Sequence, residues 1–173
     1  ERFAAPGAVF DEFDPTFSEG PALDSGTVTT YDYLRFSYAS DNRQTFYWEV
    51  AIDAGKYYTG NQIRTEGVFS CRVQSWAMVG INYNIGNFRL PEPYAENNIL
   101  YLGPRTELSF TRKLFLTSVM QYSSMADNLN FYLRFQWRFK ALSDLFFIYS
   151  ANRDTQAGVF KNHNLVAKMV LWL

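Results

Sequence analysis

Asn128 to Lys140 reads NLNFYLRFQWRFK. Leu129, Phe131, Leu133, Phe135, Trp137 and Phe139 alternate without a break with Asn128, Asn130, Tyr132, Arg134, Gln136, Arg138 and Lys140. A β-strand sends successive side chains to opposite faces, so this segment has one greasy face and one charged, hydrogen-bonding face. A soluble antiparallel strand alternates too, but it rarely gathers Phe131, Tyr132, Phe135, Trp137 and Phe139 so closely. The last residues, 163–173, read HNLVAKMVLWL and close the chain on Leu-Trp-Leu. Lipid on one face and a wet interior on the other account for both stretches. The expected fold is all-β, an antiparallel transmembrane β-barrel of the outer membrane.

Composition agrees with that reading. The 173 residues suffice for one domain, and 16 Lys and Arg nearly balance 17 Asp and Glu. There is no basic field to suit nucleic acid and no acidic tail. Aromatic residues make up 18% of the chain, more than an ordinary soluble core needs. No apolar run approaches the roughly 18 to 20 residues of a membrane helix. In a barrel, lipid-facing and lumen-facing residues average out, so a mean hydropathy of −0.22 is compatible with membrane residence. The single cysteine, Cys71, excludes an internal disulfide and a thiolate cluster; its parity with Phe69 and Val73 makes it a small hydrophobe. The chain begins at Glu1 without Met or signal peptide, which reads as a processed or internal fragment.

Residues 1–27 are rich in Pro, Gly, Asp and Ser and read as an extended lead-in or extracellular loop. From residue 28 onward nine strands are predicted: Val28–Tyr38, Thr45–Ala54, Ile63–Val73, Trp76–Asn87, Ile99–Thr111, Leu114–Tyr122, Asn128–Lys140, Asp144–Asn152 and His163–Leu173. Nine is odd, so the barrel needs a further strand from upstream or from another chain. Connections at Gln74-Ser75, Arg112-Lys113 and Ala141-Leu142-Ser143 are short, whereas GKYYTGNQ, FRLPEPYAENN and RDTQAGVFKN are longer loops. Outer-membrane barrels have short periplasmic turns and long outer loops, which puts the C-terminus in the periplasm. Trp48, Trp76, Trp137 and Trp172 then fall near periplasmic ends, and Tyr83, Tyr122 and Tyr149 late in ascending strands; Trp48, Trp137, Tyr83, Tyr122 and Tyr149 are the expected aromatic girdles.

Parity also assigns a lumen. Arg35, Glu49, Asp53, Arg64, Glu66, Arg72, Arg105, Glu107, Arg134, Arg138 and Lys168 share the polar faces, opposite Phe46, Val50, Ile52, Phe69, Val79, Ile81, Leu102, Leu116 and Phe147. A lipid-facing Arg or Lys at the midplane would cost about 2 to 4 kcal/mol, so mid-strand charges are expected on the polar face alone. Arg64, Arg72, Arg105, Glu107, Arg134, Arg138 and Lys168 are the candidate binding residues. The bland alternative is cross-strand ion pairing and hydration that only fill the interior. His163, the one histidine, has no Ser or acid arranged with it as a hydrolase needs. No metal-ligand spacing and no glycine-rich phosphate loop is present, so no enzyme, metal or cofactor is expected. Pro104 inside a strand removes a ladder hydrogen bond and marks a bulge or bend.

The stretch from Ser118 to Thr155 and the final NHNLVAKMVLWL resemble the C-terminal barrel region of a large Gram-negative outer-membrane family of unassigned function. The likeness lies in Gln121-Tyr122, Arg134 to Arg138, Ser143 to Tyr149 and Asn164 to Lys168. Lys140-Ala141-Leu142 stands where that family more often has a Pro-Gly turn. Members usually carry an N-terminal domain similar to family-nine carbohydrate-binding modules. The resemblance implies a location in the outer membrane and a barrel, with lipid and a saccharide or other small polar solute as partners. The expected function is non-enzymatic binding or passage of such a solute. The alternative is a structural or scaffold subunit of a larger outer-membrane complex, with partner subunits docking on its loops.

The final strand carries the sharpest expectation. Ala167, Met169, Leu171 and Leu173 should share the lipid face, and Val166, Lys168, Val170 and Trp172 the other; a slip of one residue would put Lys168 into hydrocarbon. The resemblance to outer-membrane proteins implies insertion machinery that reads such a strand. Deleting Trp172-Leu173 should therefore reduce membrane yield far more than Lys168→Gln. Equal yields of the two variants would show that the strand has been read on the wrong face.

Overall fold

The computed structural model describes residues 2–4, 12–13, 23–24, 28–30, 32–73, 75–92 and 96–172. Four short strands come first: β1 (Arg2–Ala4), β2 (Glu12–Phe13), β3 (Leu23–Asp24) and β4 (Val28–Thr30). Nine longer ones follow: β5 (Tyr33–Ala39), β6 (Phe46–Tyr57), β7 (Gly60–Val73), β8 (Ala77–Arg89), β9 (Glu96–Thr111), β10 (Leu114–Ser123), β11 (Asn128–Lys140), β12 (Ser143–Asp154) and β13 (Phe160–Val170). Among the described residues the protein is all-β, and no helix is long and apolar enough to cross a membrane. β5 to β13 form one nine-stranded sheet in strict sequence order, each strand beside its chain neighbours. Connections of two to six residues join them, which only antiparallel neighbours allow. β1 pairs with β4, and β2 with β3, as separate two-stranded pieces.

The predicted strand Asn128–Lys140 is observed with those bounds, and the other eight are displaced mainly at their ends. Three differences are informative. Val28–Tyr38 is two elements, because Val28–Thr30 pairs with Arg2–Ala4 while Tyr33–Ala39 joins the large sheet. Most of the expected lead-in 1–27 lies outside the described residues, as do Gln74, 93–95 and Leu173. GKYYTGNQ is not a long loop: β6 and β7 run to a two-residue turn at Tyr58-Thr59. Conversely, the connection from β5 to β6 spans six residues, 40–45. The short-long alternation therefore holds from β7 onward and fails for the first two connections. The β9–β10 pairing is interrupted at Pro104 with the same register on both sides of it, and the shift in that ladder falls at Phe110, beside the Arg112-Lys113 turn.

Two compact units make up the chain. One comprises 1–38, 50–66 and 84–99; the other comprises 39–49, 67–83 and 100–173. In the first, Tyr58 and Leu90 are buried together with Tyr57 against them, and the Tyr57 ring lies 4.9 Å from Phe88. In the second, the registers sort the side chains into two faces. Leu114, Trp137, Leu145 and Met169 make one row across β10 to β13; Leu116, Phe135, Phe147 and Ala167 make the next; Ser118, Leu133, Tyr149 and Leu165 make a third. Lys168 lies across from Phe146 and so belongs to the opposite face, with Gln136. This is the predicted parity of the last strand for residues 166–170. Within the described residues of β10 to β12, one charge departs from the rule. β12 runs two residues further than predicted and carries Arg153 onto the apolar face, at the strand's end, over the Phe160 ring.

The apolar face has little covering it. Among the described residues the buried hydrophobics are Ala51, Tyr58, Phe88, Leu90 and Ala151, while Leu165 is 76% exposed, Met169 59% and Trp137 46%. Phe131 and Phe135 make their ring contacts with Tyr149 and Phe147 of the adjoining strand, within the same sheet.

Two local devices hold the hairpins. At Gly67, a Cβ would lie 2.1 Å from the Glu49 carbonyl oxygen and 3.0 Å from the Tyr83 ring, so only hydrogen fits beneath that aromatic. At the β11–β12 turn, Lys140 pairs with Ser143, and Leu142 takes φ 57°, a left-handed conformation costly for a bulky residue. Ser143, 1% exposed, accepts a 3.1 Å hydrogen bond from the Trp172 N–H and ties down the chain beyond β13. Leu142 is 65% exposed and contributes little packing to offset its strain. Leu142→Gly should therefore stabilise the protein by about 1 kcal/mol, net of glycine's larger unfolded-state entropy. The check is the midpoint of denaturant unfolding; an unchanged or lowered midpoint counts against strain at this turn.

Candidate functional site

The predicted charged residues occupy the expected strands, but most are already matched. In the first unit, Glu66 is shared by Arg35 and Arg64. Arg35 also donates from Nη1 to Asp53 Oδ2 at 3.3 Å, and Arg64 from Nε to Asn84 Oδ1 at 3.3 Å. Asp53 is 5% exposed, and its Oδ1 has no hydrogen-bond partner. Arg35, Asp53, Arg64 and Glu66 thus form one closed network bridging β5, β6 and β7.

In the second unit, Arg105 and Glu107 stand two apart on β9, hence on one face, and pair with each other at 2.8 Å from Nε. Arg138 pairs with Asp144 at 3.2 Å and lies over the Phe115 ring. Arg134 donates to Thr117 Oγ1 at 3.4 Å, and Arg72 contacts the Met78 sulfur at 3.9 Å. The Lys168 side chain makes no ion pair or hydrogen bond among the described residues. The structure therefore does not gather the seven candidates into one basic cluster: Arg64, Arg105 and Arg138 are neutralised by neighbours, Glu107 serves as such a neighbour, and Arg72, Arg134 and Lys168 have no carboxylate partner among the described residues.

Above the Arg105 row, the same face of β10 to β13 changes character. Gln121 pairs with Asn130, Asn130 with Asn152, and Asn152 with Asn162, giving a row of four carboxamides across four strands. The row below runs Val119, Tyr132, Ser150 and Asn164; the row above runs Ser123, Asn128 and Asp154. A hollow of about 220 Å³ opens here, lined by Gln121, Asn130, Tyr132, Ser150, Asn152 and Asn162 among others. The Oδ1 atoms of Asn128 and Asn152 are buried without a hydrogen-bond partner. Such groups are rare in folded proteins because the lost hydration costs about 1 to 3 kcal/mol. Sequence reasoning ranked residues by charge and passed over this row. Its signal was legible in residues 128, 130, 150 and 152, which share the parity of Arg134; what could not be read was the register that aligns them with Gln121 and Asn162.

The aromatic candidates are not at one level. Trp137 lies near the β11–β12 turn, Tyr122 in the far row with Leu129 and Arg153, and Tyr149 midway between them. Tyr83 is central in β8 and stacks on Phe69 at 5.6 Å. Trp48 donates its backbone N–H to Ser40 Oγ at 2.8 Å. His163 faces the same way as Ala151 and packs edge-on to Phe160. Cys71, with Phe69, lines an apolar hollow of about 280 Å³ that includes Pro104. Among the described residues no three of His, Cys, Asp and Glu are grouped to hold a metal ion. Comparison with family models, curated proteins and solved structures yields no match to this chain, so the reading of its function rests on its own residues and geometry.

The β12–β13 hairpin, in the segment RDTQAGVFKN, is closed by Asp154. Its Oδ1 accepts from the Ala157 and Gln156 N–H groups at 2.9 and 3.0 Å, and its Oδ2 pairs with Lys161 at 3.1 Å, which the register shift after Asn152 turns toward it. The Ala157 amide first, and then Lys161, hold the Asp154 carboxyl below its ordinary value of 3.8. A carboxylate with a depressed folded pKa stabilises above its unfolded pKa, and that contribution is lost as pH falls through the folded value. The amide signals of Gln156 and Ala157 should therefore keep their hydrogen-bonded NMR shifts at neutral pH and lose them only as the pH falls through the folded value, below the ordinary 3.8. Asp154→Ala should show the unbonded shifts at every pH. A hairpin unchanged in either condition would remove this role.

Proposed function

We propose that this chain is a non-enzymatic outer-membrane protein, its nine strands forming part of an antiparallel transmembrane β-barrel that binds or passes a small polar solute, saccharides included. One observation carries the reading: the two faces of β10 to β13 suit two different solvents. One face exposes Trp137, Phe147, Leu165 and Met169, and the other carries carboxamides, hydroxyls and paired charges. Water makes such an exposed apolar face unfavourable, by about 25 cal/mol per Å², whereas hydrocarbon does not. The strands of β6 to β13 have 10 to 16 residues, and about 9 to 11 suffice to cross a bilayer. On this reading the Ala141-Leu142 turn and the C-terminus are periplasmic, Asp154's hairpin is external, and the resemblance to a Gram-negative outer-membrane family points the same way. Backbone edges cannot stay unpaired in lipid, so the outer edges of β5 and β13 need partners there.

A second reading, a structural or scaffold subunit of a larger outer-membrane complex, draws on the neutralisation of Arg35, Arg64, Arg105 and Arg138, because a lumen whose charges cancel needs no substrate. Reconstitution separates the two. The first reading expects ion conductance in planar bilayers and swelling of liposomes in neutral sugars. Neither conductance nor swelling, together with copurifying partners in gentle detergent, would replace it with the second.

A further inference from the structure

We infer that the carboxamide hollow of β10 to β13 is a binding subsite for uncharged, hydroxyl-rich ligands, such as one ring of a neutral saccharide. The inference deepens the reading above and rests on this face being wet.

Its donor set is what selects the ligand. Gln121, Asn130, Asn152 and Asn162 form one row, with Tyr132 and Ser150 beneath. Each carboxamide offers one acceptor oxygen and two N–H donors, and a sugar hydroxyl both donates and accepts, so the two chemistries match group for group. Asn and Gln ladders that serve only to strengthen a sheet bond to one another. These four make no side-chain hydrogen bond among the described residues, and the Asn152 oxygen is buried without a partner. The row therefore holds its hydrogen-bonding capacity in reserve.

The lining is uncharged and most of the charge around it is paired, Arg134 alone being engaged by a hydroxyl, that of Thr117. Arg105, on the side toward the β9–β10 turn, is engaged with Glu107, and Asp154, on the other, is held by Lys161 and the Gln156 and Ala157 amides. No lining side chain carries a formal charge. Anion sites are built from Arg or Lys and cation sites from carboxylates, and the hollow offers neither. Its volume of about 220 Å³ is below the roughly 300 to 1,000 Å³ of a drug-sized pocket, which fits a single ring of a longer or passing molecule.

The test is ligand-observed NMR titration of the full chain in detergent micelles with maltotriose, gluconate and glucosamine. Maltotriose should bind saturably, and gluconate and glucosamine at least about fivefold more weakly, since neither charge finds a partner in the lining. Asn152→Leu and Asn130→Leu, each folded by near-ultraviolet circular dichroism, should weaken maltotriose by about 3- to 10-fold, the range for a lost hydrogen bond or two. If Asn152→Leu fails to fold, Asn130→Leu and Asn162→Leu carry the test. No saturable maltotriose binding by the folded protein, equal or tighter binding of a charged analogue, or unaltered affinity in the folded leucine variants overturns the inference. These titrations need no bilayer. Their failure leaves solute passage to the conductance experiment, and absent conductance with leucine-sensitive binding would remove passage while keeping the site.

Discussion

Everything in the larger unit depends on the constancy of strand register. From Leu114 against Trp137 to Ser123 against Asn128, the β10–β11 ladder runs without a shift, and the β11–β12 and β12–β13 ladders shift only beside their turns. Because paired residues share a face, an unbroken register carries the alternation of one strand into the next. A slip of one residue in β12 would set Phe147 and Tyr149 among Arg134 and Gln136, and would break the carboxamide row in the same step. The irregularities sit where they do no such harm, at Phe110, Phe139 and Lys161, each at the end of its ladder. At those ends they are useful: the displaced Lys161 reaches Asp154 and closes the hairpin.

The two faces that this register produces are stabilised by different means. The apolar face has ring contacts of about 6 Å between adjoining strands, Phe131 with Tyr149 and Phe135 with Phe147, but few buried residues. Its energetics are therefore set by what surrounds it, which is why a hydrocarbon solvent suits it. The polar face is stabilised internally, through pairs such as Arg138 with Asp144 and Arg105 with Glu107. Partly exposed pairs of this kind contribute little net stability each. Their larger consequence is electrical, since they neutralise Arg105 and Arg138 on this face, while Arg134, bonded to Thr117, keeps a charge unmatched among the described residues.

Period two is a local property, so the sequence by itself determined the strands, their faces and their order. NLNFYLRFQWRFK shows both faces within one strand, and short turns such as Arg112-Lys113 leave a following strand no choice but to return antiparallel. Strand ends were less legible, because they depend on pairing partners as well as on propensity. GKYYTGNQ has the Gly, Tyr and Thr of a loop, yet β6 and β7 pair through most of it, with Tyr58 buried beside Leu90. Only the tertiary structure decided which polar residues meet. Arg105 could have faced any neighbour on its side of the sheet, and it took Glu107; Gln121 and Asn162 are 41 positions apart and share a row because three ladders bring them there. Charge is visible residue by residue in a sequence. Its cancellation, and the alignment of neutral amides into one surface, are properties of pairs across strands and arise only when the register is set.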